Sequence, residues 1–140
     1  MGAQKKIIKV VLDTNVFVSG LLFGGLPAKL ITLFQEGKFI PLLSKEILEE
    51  YISVLSYPKF QLNKNIIKEI IELELLPFVE IVCLKNKVAL ITEDPSDDKF
   101  LECGIDGNAD YIISGDSHLL KVGNYKNVSI IKARTFLDGF

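Results

Sequence analysis

Ile7-Ile8-Lys9-Val10-Val11-Leu12-Asp13-Thr14-Asn15 is the stretch from which the fold is read. A β-branched run that ends abruptly in three polar residues predicts a buried strand whose C-terminal tip presents a carboxylate, a hydroxyl and an amide. Open α/β sheets bind their ligands outside such tips. Taken alone, Asp13 or Thr14 could equally cap the helix that follows. The rest of the chain has to decide between the two roles.

Outward from that strand, the same pattern recurs near the other end. Ala109-Asp110-Tyr111-Ile112-Ile113 reads as a fourth strand ending in Ser114-Gly115-Asp116, again an apolar run with polar residues at its tip. Asp116 could also cap a short turn over Ser117 to Lys121. Between the two lie strands at Lys38 to Leu43 and Phe78 to Leu84, and a fifth follows at Val128 to Ile131. Val88 to Thr92 reads as a brief extended segment after a turn at Lys85-Asn86-Lys87, and Asn124 to Asn127 as another turn.

Helical patterns alternate with these strands. Val16 to Leu22 gives one or two turns, Phe23-Gly24-Gly25-Leu26-Pro27 a break, and Ala28 to Gln35 a helix closed by Gly37. Ser44 is the expected N-cap of Lys45 to Leu55, with Ile47, Leu48, Tyr51, Ile52, Val54 and Leu55 on one apolar face. Glu50 falls at the margin of that face and Glu49 points further into solvent. Asn63 to Leu76 forms a helix with Ile66, Ile67, Ile70, Ile71 and Leu73 inward, stopped by Pro77. Thr135 to Phe140 forms a frayed or helical end. Strands alternating with helices predict a parallel sheet covered on both faces.

Composition suits that class. The 140 residues are 49% hydrophobic with a mean hydropathy of +0.32, which fits one domain with a well-buried core. No apolar run reaches the length of a membrane span, and no signal-peptide pattern opens the chain, so a cytoplasmic protein without a membrane partner is expected. Cys83 and Cys103 lack ligand spacing and are expected to be reduced and buried. The formal charge of −2, with Arg134 the one arginine, argues against non-specific coating of nucleic acid. It leaves room for a nuclease whose acids gather at a metal centre, with Lys45, Lys99 or Lys121 meeting phosphates.

The richest polar cluster is Glu93-Asp94-Pro95-Ser96-Asp97-Asp98-Lys99. Pro95 favours the first helical position, which makes Asp94 the cap and Asp97 its acidic third residue. Capping thus explains Asp97 and leaves Asp98 for chemistry. His118, the one histidine, has no partner pattern and reads as structural or surface. Asp13, Glu50, Asp98 and Asp116 gathered in one cleft would repel one another unless a cation neutralised them. Oxygen ligands without a histidine or cysteine cluster select Mg²⁺ or Mn²⁺ over zinc. Such an ion activates water for cleavage of a phosphodiester, with Thr14, Asn15 and Ser114 holding the carboxylates or water in place.

Val11-Leu12-Asp13-Thr14-Asn15-Val16, Ser44 to Tyr51, Asp94 to Cys103 and Ala109 to Asp116 together resemble a PIN domain, and more narrowly the PIN-family toxins of prokaryotic toxin-antitoxin pairs. The resemblance extends from Ile7 to about Leu137. It implies a three-layer α/β/α fold of about five strands in the order 3-2-1-4-5, occupying residues 1–140 as one PIN domain. It further implies a Mg²⁺- or Mn²⁺-dependent ribonuclease, a cognate antitoxin that blocks the site, and a homodimer. Family acidic positions fall on Asp13, Glu50, Asp98 and Asp116, with Thr14, Asn15, Ser114 and Asp97 in support. The doublets Glu49-Glu50 and Asp97-Asp98 each leave a one-residue choice.

Two other functions compete. A haloacid-dehalogenase-like phosphatase also begins with an aspartate after its first strand, but it needs a second acid two positions on, where this chain has Asn15. A PIN-like scaffold that binds RNA or protein without turnover is the other, and an intact set of acids argues against it.

Overall fold

The computed structural model of the chain describes residues 6–85 and 95–140. In chain order its first half comprises β1 (Lys9–Leu12), α1 (Thr14–Leu22), α2 (Gly25–Gln35), β2 (Ile40–Leu43), α3 (Lys45–Leu55) and α4 (Lys64–Ile70). The second half comprises β3 (Glu80–Ile81), α5 (Asp98–Asp106), β4 (Tyr111–Ile113), α6 (Ser117–Val122), β5 (Asn124–Tyr125), β6 (Val128–Ile131) and α7 (Ala133–Asp138). The strands form one sheet in the order β3-β2-β1-β4-β6-β5, flanked by helices as a three-layer α/β/α fold.

β1 occupies the middle because its side chains suit no other place. Val10, Val11 and Leu12 are fully enclosed, as a central parallel strand covered on both faces requires. It pairs in parallel with β2 on one side, Lys9 opposite Ile40, and with β4 on the other, Leu12 opposite Ile113. That second register matters for the site, because the strand-end pair Leu12 and Ile113 sets Asp13 and Ser114 side by side. The Asp13 N–H donates to the Ile113 carbonyl at 3.0 Å, extending the ladder one step past both strand ends.

The five expected strands appear in the expected order, and β5 is an additional antiparallel edge strand where a plain turn is expected. Lys126 and Asn127 adopt φ of 47° and 72°, the positive values a two-residue type I′ hairpin needs. Lys-Asn is a weaker signal for that turn than Asn-Gly, so the hairpin is easy to miss. α2 also begins earlier than expected, at Gly25. Gly24 and Gly25 take φ of 79° and 71°, which turns the chain sharply, and Pro27 then sits in the first helical turn where its missing N–H is harmless.

Several local expectations match. Ser44 caps α3 by accepting from the Ile47 N–H at 3.2 Å. Gly37, at φ 77°, closes α2 with the bonds from Gly37 N–H to Phe34 and from Lys38 N–H to Leu33, a Schellman arrangement. The helix from Lys64 is less regular than expected: after Ile70 it widens into a π turn over Ile71–Leu75. Its buried line is Ile67, Ile71 and Leu75, so Ile66 and Leu73 face outward rather than inward. Cys103 is buried, with its thiol pushed up to about 12 chiefly by burial, whereas Cys83 is exposed rather than buried. The expected extended segment Val88 to Thr92, most of the turn at Lys85-Asn86-Lys87 and the Asp94 cap lie outside the described residues. Among the described residues no single helix is long and apolar enough to cross a membrane.

Candidate active site

Asp13 follows the last residue of β1 and is 6% exposed. Its Oδ2 accepts from the Ser114 hydroxyl at 2.6 Å, and the Ser114 oxygen in turn accepts from the Asp116 N–H at 2.9 Å. Ser114 therefore ties the tip of β1 to the tip of β4. The pairing follows from the parallel register described above, and it requires a small hydroxyl residue at the end of β4 to fit the buried space.

Asp116 uses one oxygen as a cap. Its Oδ1 accepts from the His118 N–H at 2.7 Å, which starts α6. Asp13, Asn15, Gly115 and Asp116 line one open cleft of about 310 Å³. Larger grooves of about 440 and 380 Å³ lie beside α7 and α4, but neither gathers acidic side chains, so the chemistry points to the smaller cleft.

Glu50 enters from α3. The Thr14 hydroxyl donates to its Oε2, and Lys99 Nζ lies 2.5 Å from its Oε1. Glu49 is exposed on the other side of the helix. α3 is held in register by its neighbour Tyr51, fully enclosed, whose hydroxyl donates to the Leu12 carbonyl at 2.5 Å. The Tyr51 ring stacks on Phe17 of α1 at 4.2 Å. Sequence patterning places Tyr51 on the apolar face; that its hydroxyl anchors the strand tip beside Asp13 is a tertiary fact.

The Asp97-Asp98 doublet sits at the head of α5, and the capping expectation for Asp97 involves Asp94, which lies outside the described residues. Pro95–Asp97 form a 3-10 turn and α5 starts at Asp98. Asp97 occupies the N-cap position but makes no side-chain capping bond. Instead its carboxylate meets Asp116 and His118, and one ligand atom from each of the three lies within 4.8 Å of the others. Asp98 is buried and stands outside that trio. His118, read from sequence as structural or surface, is a half-exposed neighbour of the acids, with Nδ1 3.7 Å from Asp116 Oδ1. The signal for it was its place two residues after a strand-tip aspartate. Lys99 was a candidate phosphate contact in the sequence; its pairing with Glu50 is a tertiary fact.

The electrostatics fit a cation. Burial pushes the Asp13 carboxyl above its ordinary range, and the charges of Asp116 and Glu50 push the same way, against the bonds from Ser114 and the Thr14 N–H. A carboxylate crowded by others in this way is relieved by a positive ion more than by water. Asp13 and Asp116, from the tips of β1 and β4, supply hard oxygen donors in the open cleft. Glu50 acts on Asp13 through its charge, and Asp97 lies near Asp116.

The family profile described as PIN domain matches residues 9–118. This chain belongs to the PIN domain family. Members of that family are in general nucleases, and they typically use divalent metals. The uncharacterized protein MJ1680 of Methanocaldococcus jannaschii is 34% identical over 127 residues, covering 87% of this chain and 80% of that protein. The crystal structure of FitAcB from Neisseria gonorrhoeae shares the fold with a TM-score of 0.57 at 17% identity, covering 89% of this PIN domain and 98% of that chain. Membership of the PIN family speaks against the dehalogenase-like phosphatase, whose second acid is replaced here by Asn15.

Proposed function

We propose that this PIN domain is a Mg²⁺- or Mn²⁺-dependent ribonuclease that hydrolyses RNA phosphodiester bonds, and that it serves as the toxin of a toxin-antitoxin pair. The observation that carries the nuclease reading is the meeting of Asp13 and Asp116, from the tips of two paired parallel strands, in one cleft with Asp97 beside Asp116. Asp13, Asp97 and Asp116 are the residues that would hold the ion, with Glu50 completing the acidic set. A divalent cation there would supply Lewis acidity, making water more acidic and offsetting charge on the phosphoryl group.

The chain's own residues do the rest. Ser114 orients Asp13 and fixes Asp116 through one oxygen. Thr14 and Lys99 hold the two oxygens of Glu50, so its carboxylate is aimed. Asn15, exposed at the rim of the cleft, offers an amide to a phosphate or ribose oxygen.

The test is cleavage of a structured and an unstructured RNA with Mn²⁺ or Mg²⁺, alongside Asp13→Asn, Asp97→Asn and Asp98→Asn. Loss of two to four orders of magnitude in rate is expected for Asp13→Asn and Asp97→Asn. A larger loss for Asp98→Asn than for Asp97→Asn would move the catalytic assignment to Asp98. Equal cleavage by wild type and all three variants would sink the catalytic role of these acids, and no cleavage by wild type with any ion would leave a binding module without turnover.

The toxin role, the antitoxin partner and the homodimer rest on the motif resemblance. Induced expression should arrest growth, the product of an adjacent small reading frame should relieve the arrest, and Asp13→Asn should be harmless. Light scattering of the purified chain at twice its 15.6 kDa mass would support the dimer.

A further inference from the structure

The proposed site is read above as all-carboxylate, and His118 takes it further. It is the second residue of α6 and the one histidine in the chain. Its Nδ1 stands 3.7 Å from Asp116 Oδ1, and its ligand atom lies within 4.8 Å of those of both Asp97 and Asp116. Ligands of an octahedral ion with bonds of about 2.1 Å stand about 3.0 Å apart when adjacent and about 4.2 Å when opposite, so the trio closes on one ion through side-chain adjustments of about 1–2 Å.

The three side chains come from two neighbouring helix starts. The His118 backbone N–H donates to Asp116 Oδ1, so the capping turn holds the Asp116 carboxylate at the start of α6, two residues from the imidazole. Asp97 is buried at the head of α5 and supplies the rigid side. Asp116 and His118 are 35% and 38% exposed, which leaves an entry path and room for water ligands.

We propose that Asp97, Asp116 and His118 form a mixed carboxylate-imidazole site that selects a divalent transition-metal ion, Mn²⁺ over Mg²⁺. Mg²⁺ favours oxygen ligands and retains its waters, whereas imidazole nitrogen strengthens binding of first-row transition metals. This deepens the metal-dependent reading of the same cleft and rests on it. The competing role for His118 is an ion pair with Asp116 and no bond to the ion.

A single histidine makes the test clean. Untagged, metal-free full-length chain is loaded with Mn²⁺ and examined by electron spin-echo modulation. The nitrogen signal of a coordinated imidazole is expected in wild type and absent in His118→Gln. Equilibrium titration should show Mn²⁺ binding weakened about tenfold in His118→Gln and Mg²⁺ binding changed less than about twofold. Wild type without the nitrogen signal overturns the proposal, as do equal Mn²⁺ affinities in wild type and a variant folded by circular dichroism. The wild-type spectrum needs no variant to fold. RNA cleavage separates this inference from the functional reading: nitrogen coordination without cleavage keeps the site and sinks the nuclease, whereas cleavage without nitrogen coordination does the reverse.

Discussion

Asp13 sits buried at the tip of β1 with its carboxyl pushed up, first by burial and then by the charges of Asp116 and Glu50. The folded chain therefore holds that proton more tightly than the unfolded chain does. The stability this gives is fully present below the ordinary value of 3.8 and is lost as pH rises through the raised one. Asp13→Asn removes this titration. In chelator-treated protein, the Tm of Asp13→Asn relative to wild type should climb as pH rises across that window, and a flat difference would contradict the crowding. Ser114 has two tasks at once, donating to Asp13 and accepting from the Asp116 N–H. Ser114→Ala is expected to weaken divalent-ion binding about 10- to 100-fold by calorimetry.

At the scale of elements, α3 and α1 are joined by contacts that also align the acids. Thr14 opens α1 and meets Glu50; one residue along α3, Tyr51 stacks on Phe17 and donates to the Leu12 carbonyl. Tyr51→Phe preserves the ring and leaves that buried carbonyl without its donor. The expected cost is about 1–3 kcal/mol in urea denaturation, with a fall in cleavage rate because Glu50 loses its register against Asp13. Close approach governs the next junction: a Cβ on Gly20 would lie 2.7 Å from the Pro27 carbonyl oxygen and 2.8 Å from Ile31 Cγ1. The bare backbone at Gly20 is what lets α2 fold back at 92° to α1, and this seats Pro27 at the rim of the acidic cleft.

Over the whole molecule, the acids converge because a parallel sheet puts β1 and β4 side by side and every crossover returns to the same edge. A folded chain that binds a divalent ion while its unfolded form does not is stabilised by that ion. At 100 times its Kd the gain is about 2.7 kcal/mol, visible as a rise in Tm on adding Mn²⁺ that EDTA reverses and Asp13→Asn largely lacks. The strand order followed from the family resemblance, whereas the strand-tip positions of Asp13 and Asp116 and the caps at Ser44 and Gly37 were legible in the chain itself. Local chemistry announces those features, since β-branched runs, small polar caps and a positive-φ glycine act within a few residues of themselves. The β5 hairpin, the outward turn of Ile66 and Leu73, and the exposure of Cys83 were not legible, because each depends on what packs against it rather than on its neighbours in sequence.

Ile7 to Asn15, by itself, determined that a buried strand would carry an aspartate to the edge of an α/β sheet. Periodicity and apolar content suffice for that, since they act through burial alone. Which acids stand together was decided only by the tertiary structure. The sequence left a one-residue choice between Asp97 and Asp98, and the 3-10 turn over Pro95–Asp97 sets Asp97 near Asp116 and His118. A one-residue shift at a helix start rotates a side chain by about 100°. Sequence spacing does not resolve that rotation, and the packing of α5 against the strand tips does.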